Sequence, residues 1–433
     1  MQDFDIVIIG GGPAGLSAAI AAKEKKVQKV LVIERENELG GALNYSIHSG
    51  FRKTEDKVVL TGPEFAQDLI DKAYKLNINY ILNTEVIDIS KDKVITAVNE
   101  NGILEIGAKA VILALGGREK PKGTINIQGK SCAGIFTAGA AQRFIVNEGY
   151  MPGKQVVIIG SGDTGLIAAK IMTLEGAIIK SIIESAVFPK GSKKNINECI
   201  NELEVPLKLG YKAIDIRGKD RVEGVTVVKV DSNNTAIIGT EEYIPCNTVI
   251  LSMGLQPENE LLKKIGINIS SSTNGTAVDD ELNTSEKGIF ACGNVINIHN
   301  TVENVVEEGY IAGENAADYC KGKTFYIERV EVIEGEGIKY AVPKFIILDD
   351  LDENVNISFK TDKLYNASCI ALYINNNKIQ EINKEEFIPG EIETMILEKK
   401  LLKTYKKEDM NLVIKIEKTN MGLSQNNLNK MKV

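Results

Sequence analysis

The chain has 433 residues, enough for about three domains of roughly 150 residues each. Apolar residues make up 43% and charged residues 25%, the balance of a globular protein, which excludes disordered, collagen-like and disulfide-scaffold chains. Against 59 acidic side chains stand 51 basic ones, a net charge of −8 that argues against a nucleic-acid surface or an anionic membrane patch.

Cys132, Cys199, Cys246, Cys292, Cys320 and Cys369 show no C-x-x-C and no paired metal spacing. His48 and His299 are the only histidines, so no metal site is expected. No basic segment leads into a long apolar stretch, and no run of about 18 apolar residues is present to span a bilayer. The expected setting is the cytoplasm, with reduced thiols.

In chain order, the first element is an apolar strand running into a glycine turn, DIVIIGGGPAG at 5–15. The same pattern returns as QVVIIGSGDTG at 155–165, where Gly160, Gly162 and Gly165 follow Gly10, Gly12 and Gly15 by 150 residues. A proline-free, helical segment follows each, at 16–22 and 166–172. In such a turn the first glycine makes the bend and the second admits a pyrophosphate close to the backbone. The third lets the helix pack on the strand, and the helix start supplies N–H groups and positive dipole. Pro13 and Ala14 in one loop, and Asp163 and Thr164 in the other, lie at that helix start.

A second strand ends each repeat unit in a carboxylate, Glu34 after KVLVI and Glu184 after AIIKSII, both nineteen residues past the third glycine. A carboxylate at this place accepts hydrogen bonds from the ribose hydroxyls of an adenosine. Glu184 would also repel a 2′-phosphate, which favours NADH over NADPH. Against that preference, Lys190, Lys193 and Lys194 lie just downstream with charge to hold a phosphate.

Two further stretches break the symmetry: KAVILALGG at 109–117, and GIFACGNV at 288–295 followed by a helical run through Ala317. With these the sequence resembles, over about residues 3–320, the two-dinucleotide-binding-domain flavoproteins of the pyridine nucleotide-disulfide oxidoreductase superfamily. The resemblance implies that the first glycine loop takes the ADP half of FAD, with 288–295 closing over the pyrophosphate and ribityl chain. The second loop would take the nicotinamide cofactor. The FAD contacts so implied are Gly10, Gly12, Pro13, Ala14, Gly15, Glu34, Arg35, Gly41, Gly116, Gly293 and Asn294. Those implied for NAD are Gly160, Gly162, Asp163, Thr164, Gly165, Glu184 and Gly254. Asn294 stands where many relatives carry aspartate, and its amide can still bond a ribityl hydroxyl.

LNYSIHSGF (43–51), LGGREKPKG (115–123), AGIFTAGAAQRFIVNEGYMPGK (133–154) and EGEGIKYAVPKF (334–345) carry a narrower resemblance. It is to FAD-dependent oxidoreductase subunits that accompany glycerol-3-phosphate dehydrogenases, and to relatives in hydrogen cyanide synthase, opine oxidase and proline dehydrogenase complexes. That resemblance implies a dehydrogenase partner subunit; a homo-oligomer is the other assembly expected. In that group a cysteine often stands where Ser46 and Gly117 sit here, so a thiol role does not transfer.

The implied fold class is α/β: two Rossmann-like dinucleotide-binding domains, the NAD domain inserted in the FAD domain. The FAD domain spans 1–118 and resumes at 286–322, with the NAD domain at 119–285. From 325 to 423 glycine thins and period-2 alternation appears (Ile357/Phe359, Ile370/Leu372/Ile374, Ile392/Thr394/Ile396, Leu412/Ile414/Ile416), which predicts a small antiparallel β-sandwich-like domain. Asn375-Asn376-Asn377 and Pro389-Gly390 read as hairpin turns within it, and 424–433 as a frayed polar tail.

His48, in the loop after Gly41, and His299, after the Gly293-Asn294 pair, are the candidate proton relays beside a flavin. Arg118 and Glu119 suit an interdomain ion pair or a nucleotide contact, and Arg143 and Asn147 either face the nicotinamide cleft or pack. Cys292 reads as a small buried hydrophobe. The expected activity is an FAD-dependent, NADH-linked oxidoreductase without a redox-active disulfide, passing electrons to a partner subunit or a small-molecule acceptor. The alternative is a nucleotide-binding electron-relay subunit with ATP or ADP in the second site, since Glu184 would hold any adenosine ribose. An autonomous oxidase or monooxygenase is a third reading, and rapid aerobic turnover without a partner would mark it.

Overall fold

An apolar run with no polar face must be covered on both sides, and the N-terminal strand is. In the computed structural model, which describes residues 2–53, 59–120, 123, 127–129, 132–323, 328–349, 354–405 and 410–418, β1 (Gln2–Ile9) lies inside a seven-stranded sheet. It is parallel to β2 (Val30–Ile33) on one side and to the strand Gly102–Leu113 on the other. Asn79–Ile81 extends the β2 edge, while Val94–Asn99 and Glu85–Ile89 form an antiparallel meander beyond Gly102–Leu113. Ile289–Ala291 returns from 178 residues later to pair in parallel with the end of that same strand.

α1 (Pro13–Glu24) is buried along most of its length because the helix Val302–Cys320 crosses it closely. Gly309 and Gly313 make the approach: a Cβ on Gly309 would strike the Ala14 carbonyl, and one on Gly313 the Ala18 carbonyl. This crossing fixes the segment just before the long helix against the start of α1, and that is where the first site forms.

The second sheet is parallel throughout, in the order Ile135–Thr137, Thr248–Leu251, Gln155–Ile159, Ile178–Glu184, Leu207–Leu209. The helix Asp163–Leu174 packs on one face, and a sheet built on Tyr211–Gly218, Val222–Lys229 and Glu242–Pro245 packs on the other. Gly117–Glu119 leaves the first sheet and Leu255–Pro257 returns toward it; the two pair antiparallel, so a single short ribbon joins the units.

The C-terminal region is β-rich, with two sheets around one apolar core. Three expectations change there. The pairing is not wholly antiparallel, because Arg329–Glu334 and Leu412–Lys418 run parallel, brought together across the whole region. The inward face of Glu393–Glu398 is Met395 and Leu397, whereas Ile396 is exposed; with a period of two, a one-residue slip inverts the face. Pro389-Gly390 is not a hairpin turn but carries the chain from Asn377–Phe387 in one sheet to Glu393–Glu398 in the other. The asparagine turn does form a hairpin, with Asn375 and Asn376 at φ 48° and 68°, as a two-residue primed turn needs. The tail at 424–433 lies outside the described residues.

This region docks firmly. Lys399 meets Asp280 at 2.6 Å with both side chains about 95% buried (4% and 5% exposed), and Arg329 meets the buried Asp279 at 3.3 Å. Tyr340 and Val342 join the first sheet's core. Among the described residues no helix is long and apolar enough to cross a membrane.

Candidate functional site

The two glycine loops match hydrogen bond for hydrogen bond. Gly10 N–H donates to Ile33 O at 2.9 Å and Gly160 N–H to Ile183 O at 2.8 Å. Ala114 N–H donates to Ile9 O at 2.9 Å and Ser252 N–H to Ile159 O at 2.8 Å. Each carboxylate sits inside its loop. Glu34 accepts from Gly11 N–H at 2.6 Å and Glu36 N–H at 2.9 Å; Glu184 accepts from Ser161 N–H at 3.1 Å and Ala186 N–H at 2.9 Å. Both are buried, at 6% and 2% exposure, so neither is a solvated strand end.

The glycines divide the work in the same way twice. A Cβ on Gly10 would hit the Ala114 carbonyl, and one on Gly160 the Ser252 carbonyl; Gly15 and Gly165 press on the carbonyls of Gly10 and Gly160. The middle glycines differ. Beside Gly12 the nearest atom is Gly41 Cα at 4.0 Å, and beside Gly162 it is Ser252 Oγ at 3.8 Å. The open face lies against the helix start, where neither α1 nor Asp163–Leu174 has a side-chain cap. A phosphate group there finds unsatisfied N–H donors and the positive end of a helix, so the residues present fit a dinucleotide pyrophosphate in each loop.

The surroundings of the two loops are not equal. Glu184 also accepts from Ser161 Oγ at 2.8 Å and pairs with Lys190 at 2.8 Å. Burial pushes the Glu184 carboxyl up, but Ala186 N–H, Lys190 and Ser161 outweigh it and hold the group below the ordinary glutamate range. Asp163, at the helix start, is tied to Ser192 N–H at 2.8 Å, Ser192 Oγ at 2.9 Å and Asn195 Nδ2 at 2.6 Å. Thr164 Oγ1 lies 3.3 Å from Ser252 Oγ. At the first loop Pro13 and Ala14 bring no charge.

Gly293 and Asn294 reach the first loop as the helix crossing requires: a Cβ on Gly293 would stand 2.8 Å from Ala14 Cβ. Glu308 accepts from Gly293 N–H at 2.7 Å and from His299 Nε2 at 3.0 Å, while Asn294 Oδ1 accepts from His299 N–H at 3.1 Å. His299 is therefore clamped at both its backbone and its ring. Its amide bond leaves Asn294 Nδ2 to act as a donor. The buried Asn297 amide lies beside the Tyr340 hydroxyl.

His48 sits elsewhere, half-buried with its ring 4.9 Å from that of Phe51 and with no partner for Nδ1 among the described residues. Burial, then the charges of Lys194 and Lys170, lower its pKa, so the ring is neutral at pH 7. Around it the two units touch: Lys194 Nζ donates to Ser49 O at 2.9 Å, and Arg143 reaches Glu36 at 2.8 Å. Arg143 thus bridges to the Glu34 loop, while Asn147 is exposed at the end of its helix. Arg118 pairs with Glu258 and Glu260 across the joining ribbon, and Glu119 accepts from Gly139 N–H at 2.9 Å. Arg35 is exposed. Gly116 and Gly254 close equivalent strands, each at positive φ with open space beside it, and Gly41 faces Gly12.

All six cysteines are free. Burial pushes Cys199, Cys246 and Cys320 up to about 11, and the fully buried Cys292 higher still. Glu308, Asn300 and Lys360 were not singled out in the sequence. Glu308 had a signal, an acid beside the Gly309-x-x-x-Gly313 packing face; the other two had none.

Two Rossmann-like sheets in one chain, each with a glycine loop and a buried carboxylate, define a two-nucleotide oxidoreductase fold. Residues 4–309 match the pyridine nucleotide-disulphide oxidoreductase family, and the chain belongs to it. It is an oxidoreductase and flavoprotein of that family, whose members bind FAD and NAD(P)H. Similar proteins include a ferredoxin–NADP reductase of Ignicoccus hospitalis, 25% identical over 73% of this chain and 98% of its own. The glutamate synthase [NADPH] small chain of Escherichia coli is 25% identical over 73% of this chain and 68% of its own. An opine oxidase subunit of Agrobacterium tumefaciens is 27% identical over 68% of this chain and 61% of its own. Among solved structures, T. acidophilum thioredoxin reductase has a TM-score of 0.62 at 24% identity, covering 74% of this chain and all of its own. A NAD-dependent persulfide reductase from A. fulgidus, with TM-score 0.56 at 20% identity, covers 88% of this chain and 70% of its own.

Proposed function

We propose that this chain moves electrons between NADH and FAD and on to a partner subunit or a small-molecule acceptor, without a redox-active disulfide. The observation that carries the reading is the duplicated loop, in which two dinucleotide frames share one hydrogen-bond pattern and each holds a buried carboxylate. FAD supplies the two-electron chemistry when bound; the chain binds and orients. Gly12 and the start of α1 would hold its pyrophosphate, Glu34 its adenosine ribose, and Gly293 with Asn294 its ribityl chain.

Gly162 and the start of Asp163–Leu174 would hold the nicotinamide nucleotide, with Glu184 on its ribose. A buried carboxylate kept ionised below the ordinary glutamate range opposes a 2′-phosphate, which supports NADH over NADPH. His48 and His299 are the proposed proton carriers, His48 as a neutral ring and His299 through Glu308.

Six free thiols, with those of Cys199 and Cys292 held protonated by burial, support an acceptor other than an internal disulfide. That two similar proteins are named as a small chain and a subunit supports a partner. The test is the acceptor itself: chain reduced by NADH is mixed with oxygen and, separately, with a low-molecular-weight disulfide. Slow reoxidation by both is expected; rapid turnover with the disulfide would refute the absence of a dithiol route.

A further inference from the structure

One corner of the C-terminal region touches both nucleotide frames. Lys360, next to the end of the strand Asn354–Thr361, donates from Nζ to Asn300 Oδ1 at 2.9 Å. Asn300 Nδ2 in turn donates to Gly390 O at 2.8 Å. Asn300 lies between the clamped His299 and the long helix. Gly390 reaches the other unit, where a Cβ on it would stand 3.4 Å from Lys190 O. Lys190 N–H donates to Ser161 Oγ at 3.0 Å, inside the second glycine loop. The turn at 389–390 therefore bears on both frames, with Lys360 beside it.

Charge at this corner is unbalanced in a way that asks for an anion. The second frame has Asp163 where the first has Pro13, and its hydrogen bonds come from neutral donors on Ser192 and Asn195. Lys190 is committed to Glu184. A diphosphate at the helix start would add two negative charges beside that aspartate. Lys360, half-buried, has an amide for its partner and no carboxylate within ion-pair distance among the described residues. Burial, then Lys339, lowers its pKa to about 8, while the field of Asp163 works the other way. A desolvated ammonium with no counter-ion is costly unless a ligand supplies one.

We propose that Lys360 is a binding residue for the diphosphate of the nicotinamide nucleotide, so that the C-terminal region forms the third wall of the cleft between the two frames. The proposal rests on the reading that the second frame takes that nucleotide.

The test uses full-length, FAD-loaded chain carrying Lys360→Gln or Lys360→Arg, titrated calorimetrically with ADP-ribose. Losing one charge-assisted contact should weaken binding by about tenfold or more in Lys360→Gln, with a shallower salt dependence, and by much less in Lys360→Arg. Flavin reduction by a phosphate-free dihydronicotinamide should be unchanged in both variants. Asn300→Asp, which gives Lys360 an internal anion, should weaken ADP-ribose as Lys360→Gln does, and keeps the test open should the latter fold poorly. Unchanged ADP-ribose affinity would overturn the proposal, and so would an equal loss with the phosphate-free donor. Wild-type chain that binds neither ADP-ribose nor NADH would instead refute the second-frame reading on which the proposal stands.

Discussion

Gly162→Ala separates the nucleotide-binding work of the second loop from its folding work. Gly162 has φ −68° and ψ 165°, an extended conformation open to any residue, and an added Cβ meets Ser252 Oγ at 3.8 Å, an ordinary contact. Folding stability should therefore stay within about 0.5 kcal/mol or rise slightly, since alanine restricts the unfolded chain. The methyl group would stand where a phosphate must approach the N–H groups at the start of Asp163–Leu174. Loss of one such charge-assisted bond, about 1.5–3 kcal/mol, weakens ADP-ribose or NADH by about 10- to 150-fold. Gly165→Ala is the contrast. Its Cβ would lie 2.7 Å from Ser252 Cβ and Oγ and 2.8 Å from Gly160 O, and overpacking of this kind costs on the order of 1–3 kcal/mol. Thermal unfolding and calorimetric titration of the two variants give both quantities. Normal affinity in Gly162→Ala, or a larger stability loss there than in Gly165→Ala, would refute the division of labour.

Glu184→Gln should remove the repulsion of a 2′-phosphate and release Lys190 toward it, shifting the NADPH-to-NADH affinity ratio by about tenfold or more; an unchanged ratio would detach Glu184 from the ribose. Because the folded pKa of His48 lies below its ordinary 6.5, the unfolded chain binds more protons beneath that pH. The stabilisation is whole above about pH 6.5 and is lost as the pH falls toward the folded value. Urea unfolding of wild type and His48→Phe from pH 7 to 5 should show wild type losing ground to the variant, by less than about 1.4 kcal/mol per pH unit; parallel curves would contradict the burial argument. Alkylating the accessible cysteines at neutral pH should leave NADH-dependent flavin reduction intact, and its loss would restore a thiol role.

The nucleotide units were legible because their determinants are local and repeated. A strand, three glycines and a carboxylate at fixed spacing leave one economical geometry, and Gly10 to Glu34 and Gly160 to Glu184 follow it bond by bond. The contacts that close the cleft were not, because each joins residues with no sequence relation: Arg143 with Glu36, Lys194 with Ser49, Lys360 with Asn300. The clamp on His299 depends on where the long helix lands, which Gly309 and Gly313 decide by packing. In the C-terminal region, alternation located a strand near 392–396 but set its apolar face on Ile392, Thr394 and Ile396, one residue out of step with the core, which settled on Met395 and Leu397.

Whether one chain holds both cofactors and couples them is decided by an anaerobic visible spectrum of the FAD-reconstituted protein before and after NADH. Flavin bands that bleach on addition of NADH, with a stoichiometry near one, are the expected result. Bands that persist would contradict the coupling, and failure to retain FAD on reconstitution would contradict the assignment of the first frame.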